Sequence, residues 1–244
     1  MSPPRLSIVV PARDEEDNIL PLVQACREGL GELYAACELI LVDDGSADHT
    51  LDRMKDAAAA EPAVRWLALD THCGQSAALD AGFQAARGEL VAMMDADLQN
   101  DPADLPPMVE LVHRGECECV CGIRQNRQDN WLRRVSSRIA NATRNWFTGD
   151  HVTDVGCSLR VMRRDVLARV KMFHGMHRFL PALLRLEGAR IREVPVRHRP
   201  RLHGKTKYGV WNRLFRGLRD IFAVRWMRSR NLRYTIRESG PPPP

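Results

Sequence analysis

The sequence has no uninterrupted apolar run of about 20 residues, the length that an α-helix needs to cross a bilayer. A secretory leader is not visible either, because Met1–Leu6 leads straight into a strand-like apolar run. We therefore expect a chain with neither a membrane-spanning segment nor a signal peptide.

The cysteines follow no disulfide-scaffold spacing, and their number, seven, is odd. Cys117, Cys119 and Cys121 alternate within an apolar run and would share one face of a strand. Since zinc-binding pairs are normally separated by two or more residues, buried free thiols are the favoured interpretation and a metal site is the minor one. Reduced thiols suit the cytoplasm.

The motifs of several common protein classes are missing. No G-x-G-x-x-G follows the first apolar run and no Walker A motif occurs, which argues against dinucleotide-binding and P-loop proteins. His72, His174 and His177 are scattered, show no Ser-His-Asp arrangement, and favour surface or packing roles. We expect no nucleic-acid partner, because no aromatic-interleaved RNA motif is present.

Positive charge is concentrated near the carboxyl end. Between Val196 and Arg237 thirteen residues are Lys or Arg and only Asp220 opposes them, although the net charge of the 244 residues is only +5. The rest of the chain is therefore net acidic. Such a basic block indicates an anionic partner, either nucleic acid, a phosphorylated substrate or an acidic lipid.

Short apolar runs alternate with helical patterns along the first half, which predicts a mostly parallel α/β sheet flanked by helices. The predicted strands are Leu6–Ala12, Glu38–Val42, Val64–Leu69, Leu90–Met94, Glu118–Ile123, Ser158–Met162 and Ile191–Val196. The predicted helices are Asp17–Gly31, Ala47–Ala60, Gln75–Arg87, Ala103–Arg114, Asp129–Gly149 and Phe179–Leu186.

Acidic clusters follow three of the predicted strands. They are Asp14-Glu15-Glu16, Asp43-Asp44 and Asp95-Ala96-Asp97. The carboxyl ends of parallel strands meet at one edge of a sheet, where ligands bind. Two aspartates one residue apart can hold Mg²⁺ or Mn²⁺ together with substrate phosphates, and Gln99 offers a further oxygen.

The second cluster has two interpretations. Asp43 and Asp44 can accept hydrogen bonds from ribose hydroxyls or from a base N–H. Alternatively the turn serves helix N-capping, which Ser46 or Asp48 could perform alone.

Apolar residues recur at helical spacing near the carboxyl end, opposite arginines, and predict a basic amphipathic helix. They are Trp211, Leu214, Phe215, Leu218, Ile221, Phe222 and Trp226. We favour a helix on the membrane surface, with aromatic rings in the headgroup zone and arginines on lipid phosphates. The alternative is a surface helix packed on the core.

Taken together in this order, the motifs resemble family 2 glycosyltransferases of the GT-A fold, in the polyprenyl-phosphate branch that includes dolichol-phosphate mannosyltransferase. The resemblance runs from about Leu6 to Arg228. The motifs that carry it are Val10–Ile19, Val42–Thr50, Gly74–Gly82, Met94–Gln99, Gly122–Arg124, Thr153–Arg160 and Arg201–Tyr208.

The resemblance implies an inverting, metal-dependent transfer of a sugar from a GDP- or UDP-sugar to a polyprenyl phosphate. It implies that the nucleoside is held by Pro11, Glu15, Asp43 and Asp44, and the metal by Asp95, Asp97 and Gln99. Arg124, with Arg134 or Arg138, would bind the acceptor phosphate, Arg201 and Lys207 would lie on a mobile loop over the phosphates, and Asp154 would shape the sugar pocket.

The sequence departs from the family pattern at a few positions. Arg13 and Asp14 replace the usual aromatic residue and Asn, and Thr206 replaces the commoner Ser. Many relatives carry carboxyl-terminal transmembrane helices. For this chain we expect peripheral attachment to the cytoplasmic face of the membrane, through the amphipathic helix, the basic block or a separate transmembrane partner subunit.

We predict a GT-A catalytic domain over residues 1–198, a basic acceptor loop and membrane-surface helix over 199–237, and a disordered tail over 238–244. Two alternatives stay open. One is a family 2 transferase acting on a saccharide or protein hydroxyl, which would need a carboxylate base such as Asp154 or Asp101. The other is a non-catalytic, membrane-associated protein that keeps the fold.

Overall fold

The computed structural model describes residues 4–125, 152–200 and 210–231. Within these ranges one seven-stranded sheet forms the centre of the molecule. Its strands are β1 (Leu6–Ala12), β2 (Cys37–Asp43), β3 (Val64–Ala68), β4 (Leu90–Met93), β5 (Cys119–Arg124), β6 (Arg160–Arg163) and β7 (Ile191–Val196).

The strands lie in the order β3-β2-β1-β4-β6-β5-β7. All paired neighbours are parallel except β6, which runs antiparallel to both β4 and β5. The helices are α1 (Glu16–Leu30), α2 (Thr50–Ala60), α3 (Gln75–Ala85), α4 (Leu105–His113), α5 (Arg164–Leu167), α6 (Leu180–Leu186) and α7 (Val210–Ser229). Short 3-10 turns cover Gly31–Ala36, Pro102–Asp104 and Met176–Arg178.

Helices cover both faces of the sheet, so the central strands are buried on both sides and have nearly continuous apolar sequences. Ile8 of β1 belongs to the core under α1, α2 and α4. Its neighbour Val9 belongs to the core under α3, α5, α6 and α7. This alternation follows from the two-residue period of a strand, and it confirms the predicted mostly parallel sheet flanked by helices.

Three details differ from the sequence-based expectations. The strand predicted at Ser158–Met162 begins at Arg160 and is antiparallel, which its composition does not reveal. The helix predicted from Ala47 begins at Thr50, because the Asp48 carboxylate accepts hydrogen bonds from the backbone N–H and hydroxyl of Thr50 and holds the preceding turn. Cys117 precedes β5 and packs in the opposite core from Cys119 and Cys121, so the three thiols do not share a face.

The cysteine thiols of β5 are packing residues. Cys119 and Cys121 are both buried, with their sulfur atoms 3.8 Å apart. The neighbouring thiol of Cys121 and burial raise the pKa of Cys119 well above its ordinary value, so it stays protonated near neutral pH.

Helix α7 lies where the carboxyl-terminal helix was predicted, and its side chains are described from Asp220 onwards. Its basic amphipathic, membrane-surface character stays a prediction. Val224 is buried against the sheet layer, whereas Phe222 and Trp226 are exposed. Among the described helices, none combines the length and apolar character needed to cross a bilayer. The helix predicted at Asp129–Gly149 lies outside the described residues.

A buried carboxylate ties together the amino ends of the central strands. Glu38 accepts hydrogen bonds from the Ser7 hydroxyl (2.6 Å), from the Arg87 backbone N–H (2.7 Å) and from the Arg65 guanidinium (2.6 Å). Burial raises the pKa of Glu38, but these donors outweigh it, so the pKa lies below the ordinary value of a glutamate.

Replacing Glu38 by Gln is expected to lower the free energy of unfolding by about 2 kcal/mol at pH 7, because charged hydrogen bonds are lost from a buried site. A carboxyl group whose pKa is depressed in the fold stabilises the fold above its unfolded pKa and loses that effect as the pH falls. Urea unfolding between pH 7 and pH 3 should show the two proteins converging below about pH 4.3. A difference that is constant with pH would contradict this account.

Candidate active site

The three acidic clusters meet at the carboxyl edge of the parallel strands. The first cluster contacts the turn that follows the second cluster. The backbone N–H of Asp14 donates to the Ser46 hydroxyl at 2.9 Å, and the Asp14 carboxylate accepts from the Ala47 N–H at 2.9 Å. Asp14 has a left-handed backbone (φ 48°), so this pairing turns the chain sharply as it leaves β1.

The second cluster shapes two turns. Asp43 is buried at the end of β2 and accepts from the hydroxyl and backbone N–H of Ser46. Asp44, also buried, accepts from the backbone N–H groups of Cys73 (2.8 Å) and Gly74 (2.9 Å) and contacts His72 Nδ1 at 2.8 Å. The two carboxylates therefore organise the loops at this edge. This role goes beyond helix N-capping, the alternative interpretation of the sequence.

The third cluster is joined to the second through the start of α3. Gln75, the first residue of α3, donates from Nε2 to Asp95 Oδ1 at 2.9 Å. Asp97 is 6% exposed, and its Oδ1 accepts from the Gln99 backbone N–H at 3.2 Å. Leu98, which lies between Asp97 and Gln99, has a left-handed backbone (φ 61°). It bends the chain directly after the two aspartates.

The chemistry of this third cluster fits Mg²⁺ or Mn²⁺. Asp95 and Asp97 offer hard carboxylate oxygens, which these cations prefer. Within the described ranges no group of three or more His, Cys, Asp or Glu side chains could hold a metal ion. Two carboxylates alone suit a cation that keeps substrate phosphates among its ligands.

Two further residues predicted to bind the nucleoside lie at the same edge. Pro11 of β1 pairs in register with Val42 of β2. The Glu15 backbone N–H donates to the Thr50 hydroxyl at 2.7 Å, and the Glu15 carboxylate accepts from the Asn18 side chain at 2.5 Å. These bonds hold Glu15 at the start of α1, beside the turn that carries the second cluster.

The beginning of the basic block is anchored at the third cluster. Arg199 donates from its backbone to the Gln99 carbonyl (2.9 Å) and from its guanidinium to Asp101 (2.7 Å), and Arg197 also contacts Asp101 (3.3 Å). Burial raises the pKa of Asp101, but the Ala103 N–H and Arg199 outweigh it and hold the pKa below its ordinary value. Part of the positive block is thus neutralised by acids distant in sequence.

Arg124 and Asp154 form a bidentate ion pair, with both guanidinium contacts at 2.8 Å. The Arg124 side chain is 16% exposed and that of Asp154 is 8% exposed. A Cβ atom on Gly156 would lie 2.5 Å from Arg124 Nη2, so glycine leaves the room that the guanidinium occupies. The residue predicted for the acceptor phosphate and the one predicted for the sugar pocket therefore act as one unit.

Two residues of this region had no predicted role. Arg160 of β6 is 1% exposed and donates to the carbonyls of His177 (2.8 Å) and Val155 (3.0 Å), which fixes the loop that carries Asp154. Its signal in the sequence is a charge inside an apolar run. Gln75 gave no signal, because only the folded chain brings it to Asp95.

The other predicted site residues, Arg134, Arg138, Arg201 and Lys207, lie outside the described residues. The other two histidines considered from the sequence lie near the start of α3. His177 Nδ1 lies 2.9 Å from the Ser76 hydroxyl, and His174 packs against Gly74.

Comparison with known proteins decides the family. The model of Glycosyl transferase family 2 matches residues 7–171, which include all three acidic clusters and the Arg124–Asp154 pair. The chain belongs to glycosyl transferase family 2.

Two relatives of the chain are enzymes with a polyprenyl phosphate in their names. The chain is 42% identical over 223 residues to a dodecaprenyl-phosphate galacturonate synthase of Rhizobium johnstonii, covering 90% of this chain and 66% of the relative. It is 38% identical over 210 residues to an undecaprenyl-phosphate 4-deoxy-4-formamido-L-arabinose transferase of Edwardsiella ictaluri, covering 84% and 63%. The chain thus spans just under two thirds of the length of these relatives.

Solved structures share the fold. Glucosyl-3-phosphoglycerate synthase of Mycobacterium tuberculosis, in complex with Mn²⁺, uridine diphosphate and phosphoglyceric acid, superposes with a TM-score of 0.69 at 20% identity over 94% of this chain and 80% of that one. Its complex with Mg²⁺ and uridine diphosphate gives 0.67 at 20% identity over 92% and 79%. This likeness confirms the GT-A-like architecture that the motifs implied.

The Arg124–Asp154 pair is expected to be strongly coupled. Arg124→Ala or Asp154→Ala leaves a largely buried charge without its partner and should lower the free energy of unfolding by roughly 3 kcal/mol. The double variant should lose clearly less free energy of unfolding than the sum of the two single losses, because it contains neither charge.

Urea unfolding of the four proteins measures this coupling. The exposed pair Arg163–Asp165, with contacts of 3.0 and 3.1 Å, is the matched control. Its coupling energy should be under about 1 kcal/mol. Additive losses at Arg124 and Asp154 would show that the two residues do not act as a unit.

Proposed function

We propose that the protein is an inverting glycosyltransferase that moves a sugar from a GDP- or UDP-sugar to a polyprenyl phosphate. The observation that carries the proposal is the 42% identity, over 90% of this chain, to a synthase that acts on dodecaprenyl phosphate. The second relative, named for undecaprenyl phosphate, supports the same class of acceptor.

The donor would bind at the carboxyl edge of β1, β2 and β4, within residues 1–198, which we take as the catalytic domain. Pro11, Glu15, Asp43 and Asp44 would hold the nucleoside. The turns that Asp43 and Asp44 organise with Ser46 and Gly74 support this role, because they fix the shape of the edge before a donor binds.

Asp95 and Asp97, with Gln99, would hold Mg²⁺ or Mn²⁺. When bound, such a cation neutralises charge that develops on a departing nucleoside diphosphate. Arg201 and Lys207 would add positive charge over the same phosphates. Their proximity is supported by Arg199, whose backbone is bonded to Gln99 two residues before Arg201.

The acceptor phosphate would be bound by Arg124 together with Arg134 or Arg138, since guanidinium groups form strong charge-assisted hydrogen bonds with phosphate. An oxygen of the acceptor phosphate attacks the anomeric carbon as the bond from that carbon to the donor's diphosphate oxygen breaks. A phosphate monoester is ionised near neutral pH, so the protein has to position the nucleophile and need not deprotonate it.

The state of the candidate bases favours this acceptor over a hydroxyl group. A hydroxyl acceptor requires a base whose pKa lies near the operating pH. The pKa of Asp101 is lowered by the Ala103 N–H and Arg199 despite burial, and both oxygens of Asp154 are bound by Arg124. Neither carboxylate suits proton abstraction.

Attachment to the membrane would use the outer surface of α7, within the predicted acceptor-loop and helix region 199–237. Phe222 and Trp226 are 60% and 64% exposed and lie four residues apart on one face of the helix, next to the exposed Arg225 and Arg228. Aromatic rings beside arginines suit an anionic lipid surface. We propose a peripheral location on the cytoplasmic face, with a separate transmembrane subunit as a possible partner.

Asp97→Ala is expected to abolish sugar transfer with the fold intact, because half of the carboxylate pair is lost. Transfer is measured as radiolabelled sugar that moves from a GDP- or UDP-sugar into the organic phase in the presence of undecaprenyl phosphate and Mn²⁺. The exposed Asp56→Ala is the matched control and should keep full activity. Transfer that persists in Asp97→Ala and in the presence of a chelator would end the metal assignment, and label that stays in water-soluble products would point to a hydroxyl acceptor.

Phe222→Glu combined with Trp226→Glu is expected to release the protein from vesicles that contain anionic lipid, because the charges oppose burial of the outer face of α7. Flotation measures the bound fraction, which for the unaltered protein should also fall at high salt through screening. Leu20→Glu combined with Trp66→Glu is the control, since these two residues are exposed elsewhere on the molecule. Equal flotation of both double variants would show that α7 is not the anchor.

A further inference from the structure

A four-residue turn, His72–Gln75, contacts two of the three acidic clusters at once. Its backbone N–H groups at Cys73 and Gly74 bind Asp44, while the Gln75 side chain binds Asp95 Oδ1 at 2.9 Å. Gly74 adopts a left-handed backbone (φ 92°), and α3 begins immediately afterwards at Gln75. The turn thus links Asp44 and Asp95 at the proposed donor-binding edge. The Gln75 side chain that completes this link is not among the residues proposed to bind the donor or the cation.

We propose that Gln75 is a positioning residue that orients Asp95, and that it thereby sets the affinity of the site for a divalent cation bound with a nucleoside diphosphate. The inference rests on the proposed function only in taking Asp95 as a cation ligand. It adds a specific residue, outside the predicted ligand set, on which that ligand depends.

The backbone of Gln75 is held from both sides, which makes its side chain a fixed donor. On one side Asp44 holds the Gly74 N–H. On the other side the buried Ser76 hydroxyl accepts from the Gly175 N–H at 3.0 Å and contacts His177 Nδ1 at 2.9 Å. Because the main chain of Gln75 is fixed, its side-chain amide limits rotation of the Asp95 carboxylate. Cation binding then loses less free energy to the ordering of Asp95.

The described hydrogen bonds to the two aspartates come from different kinds of donor. Asp97 accepts from the backbone N–H of Gln99, a contact that no side-chain substitution removes. Asp95 accepts from a side-chain amide, a contact that a single substitution removes. The amide is well suited to this position because its nitrogen donates to the carboxylate and adds no negative charge beside it.

The experiment is a Mn²⁺ titration of the protein in the presence of uridine or guanosine diphosphate, followed by calorimetry or by the electron paramagnetic resonance of free Mn²⁺. Gln75→Ala is expected to weaken Mn²⁺ binding roughly 10-fold or more, the usual effect of losing a residue that orients a metal ligand. Gln75→Leu, which keeps most of the side-chain volume, should show the same loss, so a packing defect in one variant does not decide the outcome.

The matched control is Gln24→Ala on α1, which removes a Gln–carboxylate hydrogen bond of similar length, 2.8 Å to Glu28, on the exposed surface. Its Mn²⁺ affinity should equal that of the unaltered protein. Nucleotide affinity without metal should be unchanged in all variants. If Gln75 merely stabilises the turn that holds Asp44, nucleotide affinity without metal falls together with Mn²⁺ affinity, and that result overturns the proposal.

The remaining outcomes separate this inference from the proposed function. Equal Mn²⁺ affinity in Gln75→Ala and the unaltered protein overturns the inference, even where sugar transfer to polyprenyl phosphate is observed. An unaltered protein that binds no Mn²⁺ with either nucleotide also overturns it. Weakened Mn²⁺ binding in both Gln75 variants supports the inference, even in a protein that transfers no sugar to polyprenyl phosphate, in which case only the proposed function fails.

Discussion

Mutual repulsion among carboxylates is the constraint on which this site depends. The parallel arrangement of β1, β2 and β4 brings three acidic clusters to one edge of the sheet. Like charges at such short range destabilise a fold unless hydrogen-bond donors face them. The chain supplies those donors from backbone N–H groups, hydroxyls and the side-chain amides of Asn18 and Gln75. The loops after the three strands are consequently joined into a single network. It runs from Asp14 to Asp95 through Ser46, Asp43, Asp44, Gly74 and Gln75.

The two carboxylates weighed as bases for proton transfer are likewise held by hydrogen-bond donors. Burial raises the pKa of Asp101, but the Ala103 N–H and Arg199 hold it below its ordinary value, and both oxygens of Asp154 are bound by Arg124. These contacts support the proposal that the reaction positions and neutralises charges and that the nucleophile arrives already ionised. Arginines near this edge are likewise neutralised by acids. An aspartate forms an ion pair with each of Arg124, Arg197 and Arg199.

Much of the fold could be predicted from the sequence, since buried parallel strands are continuous apolar runs and β1 and β7 begin and end at the predicted residues. The antiparallel direction of β6 could not, because a short apolar strand carries no mark of its direction. The acidic clusters and their meeting at one edge were predictable from spacing and topology. Two side chains that hold this region were not predictable, since Gln75 reaches Asp95, and Arg160 reaches the Val155 carbonyl, only through tertiary contacts.

The central claim is that Asp95 and Asp97 face one shared cation at the carboxyl edge of β4, where a nucleoside diphosphate also binds. The most direct test is anomalous diffraction at the manganese edge from crystals soaked with Mn²⁺ and uridine or guanosine diphosphate. The account predicts one strong peak within coordination distance of both aspartates and of the diphosphate oxygens. A nucleotide bound at this edge with no peak beside these two residues, or with the peak elsewhere, would contradict it.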